Sequence, residues 1–383
     1  MIRVLFFIHD LSGGGAEKVL VNLVNNIDKT RFKVTLLTMF DSGINKQYLG
    51  SDVEYRYVFK RLFRGNQHIQ KLFSPEFLYN RMVGNGYDIV ISFMQGATTR
   101  IISGNKDSNV KKLNWIHNEM TKERLAKSYR SYKEFVDCNK KYDATVFVAN
   151  TAKVIFERET QLKKNNIVKY NTVETDEILR KSLEEINDIE FDKNRINLIT
   201  IGNLTEQKGY DRLLRIVKKL KDDSYRFHLY ILGDGHLRDK FNDYINQHNL
   251  DVVVTLLGYK NNPYKYLRNT DLFVCSSYHE GYSTVVTEAL IVGTPVITTL
   301  CSGMEEMLGS NNEYGIIVEN SEDALYEELV KLINNEELIK YYKNRANERS
   351  KYFNTKKTVE EIEKLFIDLY EGQPIFDEVA DNE

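Results

Sequence analysis

Two glutamates, Glu280 and Glu288, flank a run of small hydroxyl residues that predicts the start of a helix. The stretch reads HEGYSTVVTEAL from His279 to Leu290 and follows the apolar run DLFVCSS. Ser283 or Thr284 suits the N-cap, so we expect Glu280 in the preceding loop and Glu288 within the helix. At 1.5 Å per residue, the two carboxylates are then on the order of 10 Å apart.

The start of this helix predicts an anion-binding site. Its unpaired backbone N–H groups carry about half a positive charge and form an anion site. A ligand with phosphate in the middle and hydroxyl groups at both ends, such as a sugar nucleotide, would fit between the two acids. A glycosidase acid–base pair is a weaker interpretation, because it needs a carboxyl with a raised pKa. Solvated acids that merely complement the helix dipole are a further alternative.

The same strand–loop–helix pattern begins twice, about 195 residues apart. IRVLFFIHD is followed by a glycine turn and an amphipathic helix, and INLITIGN is followed by LTEQKG and the helical YDRLLRIVKKL. Eight further apolar runs predict strands: KVTLLTMF, YDIVISFM, KLNWIH, ATVFVAN, FHLYILGDG, VVTLLGY, DLFVCSS and PVITT. Strands that alternate with helices favour an α/β protein with two Rossmann-like, doubly wound domains. Parallel sheets bind ligands at their strand carboxyl ends, so we expect the domains to face an interdomain cleft.

The charge of the chain is unevenly distributed between its two halves. Residues 1–170 hold 28 Lys and Arg against 16 Asp and Glu, a net +12, and the remainder holds 25 against 39, a net −14. The basic half predicts an anionic partner such as a lipid headgroup layer or a phosphorylated substrate, unless the two halves attract each other. No nucleic-acid-binding motif accompanies the charge. The three cysteines and the lack of a long apolar run predict a cytoplasmic protein without disulfides or membrane spans.

Further segments surround the two glutamates. They are GNLTEQKG (202–209), LGDGHL (232–237), GTPVITT (293–299) and CSGMEEML (301–308). In order and spacing they resemble the nucleotide-binding domain of the retaining family 4 glycosyltransferases, which have the GT-B fold. YNTVETDEI (170–178) resembles the domain junction of that family, and SGGGAEKVLVNL (12–23) resembles its N-terminal glycine loop.

The resemblance implies a domain plan. Residues 1–170 would form the acceptor domain, 171–195 the linker region and 196–355 the nucleotide-sugar donor domain. Residues 356–383 would form a C-terminal helix that packs back towards the N-terminal domain, followed by a tail.

The resemblance also implies roles for single residues. Glu280 would hydrogen-bond the donor sugar, Glu288 the ribose, and Lys208 would place its ammonium on the diphosphate. His117, in NWIHNE, would contact the sugar or shape the acceptor side, although a lone histidine is often structural. Relatives often carry arginine where this chain has Asn203, so half of the usual Arg–Lys clamp is replaced.

The remaining predicted donor-binding residues lie in glycine turns and at helix starts. They are Gly14, Gly15, Asn203, Gly235, Ser283, Thr284 and Glu306. No D-x-D, HExxH or paired-cysteine motif occurs in the chain, so we expect no metal and no other cofactor. The implied reaction is a metal-independent hexosyl transfer with retention, from a nucleotide diphosphate sugar, with a UDP-sugar as the expected donor, to a hydroxyl acceptor.

The acceptor side offers one more pattern. In VFKRLFRGNQHIQKLF (58–73), apolar and basic residues alternate. The segment could lie on an anionic bilayer, which predicts a peripheral protein on the inner face of the membrane with a lipid-linked or polysaccharide-precursor acceptor. An ordinary surface helix is the alternative. The rival functions are a sugar-nucleotide epimerase and a non-catalytic, sugar- or protein-binding partner subunit with the GT-B fold.

Overall fold

The computed structural model describes residues 1–63, 65–119 and 128–375, without the side chains of Asn66, Gln67 and Ile69. The chain forms two compact units. The first comprises Met1–Val173 and the chain from Thr355 onward, and the second comprises Glu174–Asn354. The segment 171–195, predicted as a linker, contains a helix at Thr175–Ser182.

The first unit contains a parallel sheet with the strand order β3-β2-β1-β4-β5-β6-β7. Its strands are β1 (Ile2–Ile8), β2 (Phe32–Phe40), β3 (Glu54–Phe59), β4 (Ile89–Ser92), β5 (Lys111–Ile116), β6 (Ala144–Phe147) and β7 (Asn166–Val168). Its described helices are α1 (Gly15–Asn26), α2 (Asn66–Leu72), α3 (Pro75–Met82), α4 (Ala97–Ile102), α5 (Tyr132–Asn139), α6 (Asn150–Thr160) and the last helix of the chain, α15 (Thr355–Glu371). The central strand β1 is an apolar run because helices cover both faces of a parallel sheet.

The last helix belongs to the first unit. Phe366 on α15 is fully buried, and its ring meets the rings of Phe6 and Phe32 edge-on at 6.0 Å. The backbone N–H of Asp28 donates to the Glu363 carboxylate at 2.6 Å. The apolar stripe of α15 therefore completes the core of the first sheet.

The second unit contains a parallel sheet with the order β10-β9-β8-β11-β12-β13. Its strands are β8 (Ile196–Ile201), β9 (Phe227–Leu232), β10 (Val254–Gly258), β11 (Leu272–Cys275), β12 (Val296–Thr299) and β13 (Ile316–Val318). Its described helices are α7 (Thr175–Ser182), α8 (Tyr210–Asp222), α9 (Arg238–Gln247), α10 (Tyr264–Arg268), α11 (Thr284–Ile291), α12 (Met304–Leu308), α13 (Glu322–Ile333) and α14 (Glu336–Ser350).

The prediction of two Rossmann-like, doubly wound α/β domains is confirmed, and each of the ten predicted strands is present. Three further strands, β3, β7 and β13, were not predicted. All three lie at sheet edges, and β7 and β13 have only three residues each. Among the described residues, no helix combines the length and apolarity needed to cross a bilayer.

Candidate functional site

The predicted residues of the second unit gather at one edge of its sheet. Asn203 and Lys208 follow β8, Gly235 follows β9, Glu280 follows β11 and Glu306 follows β12. These four strands are consecutive neighbours in the sheet. The carboxyl ends of parallel strands share an edge, so the fold places these residues where a ligand of such a sheet binds.

Lys208 and Glu280 form an ion pair across this edge. The Lys208 ammonium donates to Oε1 of Glu280 at 2.7 Å, and the hydroxyl of Ser277 donates to the same oxygen at 2.6 Å. Glu280 is only 6% exposed. Burial opposes the charge of Lys208, but the charge and hydrogen bond of Glu280, with smaller contributions from Cys275 and Tyr210, together outweigh burial and raise the pKa of Lys208. Lys208 therefore carries a positive charge at neutral pH, next to a carboxylate that can accept hydrogen bonds.

The two loops that carry this pair approach each other closely and are joined by hydrogen bonds from side chains to backbone carbonyls. Gly209 has a left-handed φ of 64°, and a Cβ there would lie 2.0 Å from the carbonyl oxygen of Ser276. The hydroxyl of Ser276 donates to the Lys208 carbonyl at 3.0 Å, and the Gln207 amide donates to the His279 carbonyl at 2.8 Å. The glycine of the QKG turn thus lets the Lys208 loop approach the Glu280 loop closely.

Arg212, which the sequence did not single out, donates hydrogen bonds to the backbone of the loop that carries Glu280. This buried guanidinium donates to the carbonyls of Ser276 at 2.8 Å and Ser277 at 2.7 Å. It also donates to the Thr299 hydroxyl and the Asn320 amide oxygen, at 3.0 and 2.7 Å. Arg212 lies on α8, where a basic residue normally indicates a solvated face, so no sequence signal separated it from its neighbours.

The helix start after β11 is built as predicted. Ser283 is the N-cap of α11, and its hydroxyl accepts a hydrogen bond from the backbone N–H of Val286, while Thr284 is the first helical residue. Glu288 is 3% exposed within this helix. Because Glu280 and Glu288 are both buried, the interpretation of two acids on a solvated helix face is wrong.

Three other predicted residues lie at the same edge of the sheet. Asn203 is exposed, and its carbonyl accepts from the N–H of Thr205 at 2.9 Å. Gly235 lies against Leu204, and a Cβ at Gly235 would approach the Leu204 carbonyl oxygen to 2.5 Å. Glu306 is half-buried on α12, and its carbonyl accepts from the guanidinium of Arg349 at 2.6 Å.

In the first unit, the glycine loop follows β1. Gly14 is the N-cap of α1 and Gly15 is its first residue. A Cβ at Gly14 would lie 2.2 Å from a carboxylate oxygen of Glu17, so another residue there would require the Glu17 side chain to move. Burial raises the pKa of Glu17 to about 7, a feature that the sequence did not indicate.

His117 follows β5 in the first unit and is buried among aromatic rings. Its ring lies 4.6 Å from that of Phe93 and stacks on Trp115 at 6.4 Å. Its backbone N–H donates to the Gln95 amide oxygen at 3.4 Å. Its Nε2 atom is buried and has no hydrogen-bond partner among the described residues. The His117 ring is thus neutral and has an unused polar atom.

This burial predicts a pH dependence of stability. Desolvation lowers the pKa of His117 from 6.5 to about 3, so between these values the unfolded chain binds a proton that the folded chain does not. The free energy of unfolding should therefore fall as the pH falls from 6.5 towards 3. Thermal denaturation at several pH values in that window should show a shallower loss for His117→Gln, whose side chain stays neutral. Equal slopes for the two proteins would contradict a neutral, buried His117.

Comparison with known proteins agrees with this architecture. Residues 181–349 match the family described as Glycosyl transferases group 1. An uncharacterized glycosyltransferase from Methanocaldococcus jannaschii is 32% identical over 73% of this chain and 79% of its own length.

Two further similarities span nearly the whole chain. The Campylobacter jejuni enzyme named N-acetylgalactosamine-N,N'-diacetylbacillosaminyl-diphospho-undecaprenol 4-alpha-N-acetylgalactosaminyltransferase is 28% identical over 96% of this chain and 100% of its own. The crystal structure of Anabaena HepE in complex with UDP-glucose superposes with a TM-score of 0.74 at 13% identity, over 96% of this chain and 100% of that one. The predicted GT-B fold is confirmed.

Proposed function

The chain belongs to the glycosyl transferases group 1 family, and we propose that it transfers a sugar from a UDP-sugar to a hydroxyl group of a lipid-linked or polysaccharide precursor, with retention at the anomeric carbon. The observation that carries this proposal is the Lys208–Glu280 ion pair at the strand carboxyl ends of the second sheet. It places a cation and a buried acceptor carboxylate beside the capped start of α11.

Each group has a role in donor binding. Lys208 neutralises the diphosphate and stabilises the charge that develops on it when the bond to the sugar breaks. Glu280 accepts hydrogen bonds from sugar hydroxyls, and Glu288 accepts them from the ribose. The backbone N–H groups of the first turn of α11 add donors for a phosphate oxygen. Gly235, Asn203 and Glu306 border the same edge.

The transfer itself breaks the bond between the anomeric carbon and the phosphate oxygen. The acceptor oxygen forms its bond to that carbon on the face that the nucleotide leaves, and its proton passes to the departing phosphate. Lys208 stabilises the negative charge on that phosphate during the step, so the proposed reaction proceeds without a divalent metal. By resemblance to the family, His117 contacts the sugar or shapes the acceptor side, and the Gly14-Gly15 turn takes part in donor binding.

The choice of donor and acceptor has support from the relatives. HepE binds UDP-glucose. The C. jejuni enzyme is named for a diphospho-undecaprenol acceptor. Because that relative aligns over nearly the whole chain, a lipid-linked sugar is the acceptor that we favour over a soluble one.

Incubation with UDP-, GDP- and ADP-sugars tests donor class and metal dependence together. We expect nucleotide release from a UDP-sugar, at equal rates in the presence and absence of EDTA. A polyprenyl diphosphate sugar should stimulate this release. Nuclear magnetic resonance of the product should show the anomeric configuration of the donor. Release that EDTA abolishes would contradict the metal-independent mechanism, and neither release nor binding with any donor would favour the non-catalytic partner subunit.

A further inference from the structure

The segment around the end of α2 exposes large apolar side chains. Leu72 is 76% exposed, Phe73 41% and Phe77 52%. The rings of Phe73 and Phe77 stack on each other at 5.1 Å with an interplanar angle of 19°. These three residues, here called the apolar turn, present adjoining hydrocarbon surface to solvent in the first unit, which a folded protein normally buries or uses for binding.

The backbone of the apolar turn is held firmly. The Phe73 carbonyl accepts from two guanidinium groups, Arg100 at 2.8 Å and Arg130 at 3.1 Å. Arg100 is 1% exposed and also donates to the Gln70 carbonyl at 3.0 Å, while its Nε donates to Glu134 at 3.0 Å. These bonds satisfy carbonyls that the helix end leaves unpaired. The exposed side chains are therefore displayed by a rigid turn.

The stretch of chain that contains the apolar turn is rich in cations. Residues 57–82 contain five Lys and Arg against one acid, Glu76. Lys60 and Arg61 are exposed, and the neighbouring Leu62 is 64% exposed. Arg64, which the sequence pattern also included, lies outside the described residues. Exposed apolar side chains and exposed cations on one stretch of chain match a bilayer surface, where the hydrocarbon enters the interface and the cations meet anionic headgroups.

We propose that the apolar turn, together with Lys60 and Arg61, docks the first unit on an anionic lipid bilayer. A second protein is the less fitting occupant, because its surface would have to supply both a hydrophobic pocket and a dense acidic rim. The docking proposal rests on the proposed function in one respect: a lipid-linked acceptor places the reaction at a membrane, which gives the enzyme a reason to dock there. Docking itself can be measured without any donor or acceptor.

Flotation of the full chain with phospholipid vesicles tests the apolar part of this surface. We expect binding to vesicles with about one third anionic lipid, and at least tenfold weaker binding for the double variant Leu72→Ser, Phe73→Ser. The guanidinium groups bind the Phe73 backbone and not its ring, so the turn should remain intact. Leu179→Ser, Leu183→Ser is the matched control, because these leucines are exposed on the second unit, and it should bind like the wild type.

Charge reversal tests the cationic part. Lys60→Glu, Arg61→Glu should weaken vesicle binding by about thirtyfold or more, since each cation near an anionic surface contributes roughly fivefold. The control Lys340→Glu, Lys343→Glu changes two exposed lysines of the second unit and should have little effect. In about 1 M salt the wild type should also bind more weakly, because the Debye length falls to roughly 3 Å. The salt comparison needs no variant and holds even if a variant fails to fold.

Several results would overturn the proposal. One is a wild-type chain that does not float with anionic vesicles, and another is a control variant that loses binding as strongly as its test variant. Displacement by millimolar inorganic phosphate would assign the cations to a free anion, and a wild-type dimer that the Leu72→Ser, Phe73→Ser variant converts to a monomer would assign the turn to a second copy. Nucleotide release from a UDP-sugar is measured separately, so its failure would not count against docking.

Discussion

Replacement of Lys208 by alanine should lower turnover by about 100- to 1,000-fold, the range found when one charge-stabilising donor is removed from an active site. Lys208 is the cation that the structure pairs with Glu280, at 2.7 Å, and its raised pKa keeps it charged at neutral pH. Without it, the charge on the departing diphosphate loses its nearest proposed cation, and the backbone N–H groups at the start of α11 remain to stabilise it. Initial rates of UDP release measure the effect.

The control for this variant is Lys218→Ala. Lys218 lies on α8 in the same unit and forms an exposed ion pair with Asp222. Exposed pairs contribute little, so this variant should keep wild-type turnover and stability. If Lys208→Ala retained wild-type turnover while still folded, its assignment to the diphosphate would be wrong.

Glu280→Gln should reduce turnover at least tenfold and leave the fold intact. Glutamine preserves the shape of the side chain and an oxygen that can accept from Ser277, which now donates at 2.6 Å. It removes the negative charge that pairs with Lys208 and weakens the hydrogen bonds to the sugar hydroxyls. Steady-state kinetics with a UDP-sugar, together with thermal denaturation, separate loss of function from loss of stability.

Glu206→Gln is the matched control for the charge. Glu206 lies two residues before Lys208, but its carboxylate is exposed beside His236. Turnover should therefore stay near the wild-type value. In the double variant Lys208→Ala, Glu280→Gln the losses should be less than multiplicative, because contacting residues share one interaction. Fully multiplicative losses would show that the two side chains act independently.

The sequence predicted those features that depend on local patterns. Buried parallel strands such as β1 read as apolar runs, and the Ser283 cap follows from a small hydroxyl residue at a helix start. The edge strands escaped prediction because β7 and β13 are too short for a pattern, and β3 is half-exposed. Edge strands lack a neighbour on one side and carry a weaker apolar signal.

Features that depend on tertiary packing were not predictable in this way. Lys208 and Glu280 are 72 positions apart, and only the resemblance to a family indicated that they act together. Arg212 was missed because its four hydrogen-bond partners come from three other segments of the chain. The raised pKa of Glu17 depends on burial in the fold, which composition does not reveal.

Calorimetric titration of UDP into the wild type and Lys208→Ala, both in EDTA, tests most directly whether Lys208 binds the nucleotide diphosphate. The wild type should bind UDP without a metal, and the variant should bind at least tenfold more weakly, since a hydrogen bond from a charged group contributes about 1.5 to 3 kcal/mol. Equal affinities in the two proteins, or binding only after a divalent cation is added, would contradict the claim that Lys208 binds the diphosphate in place of a metal.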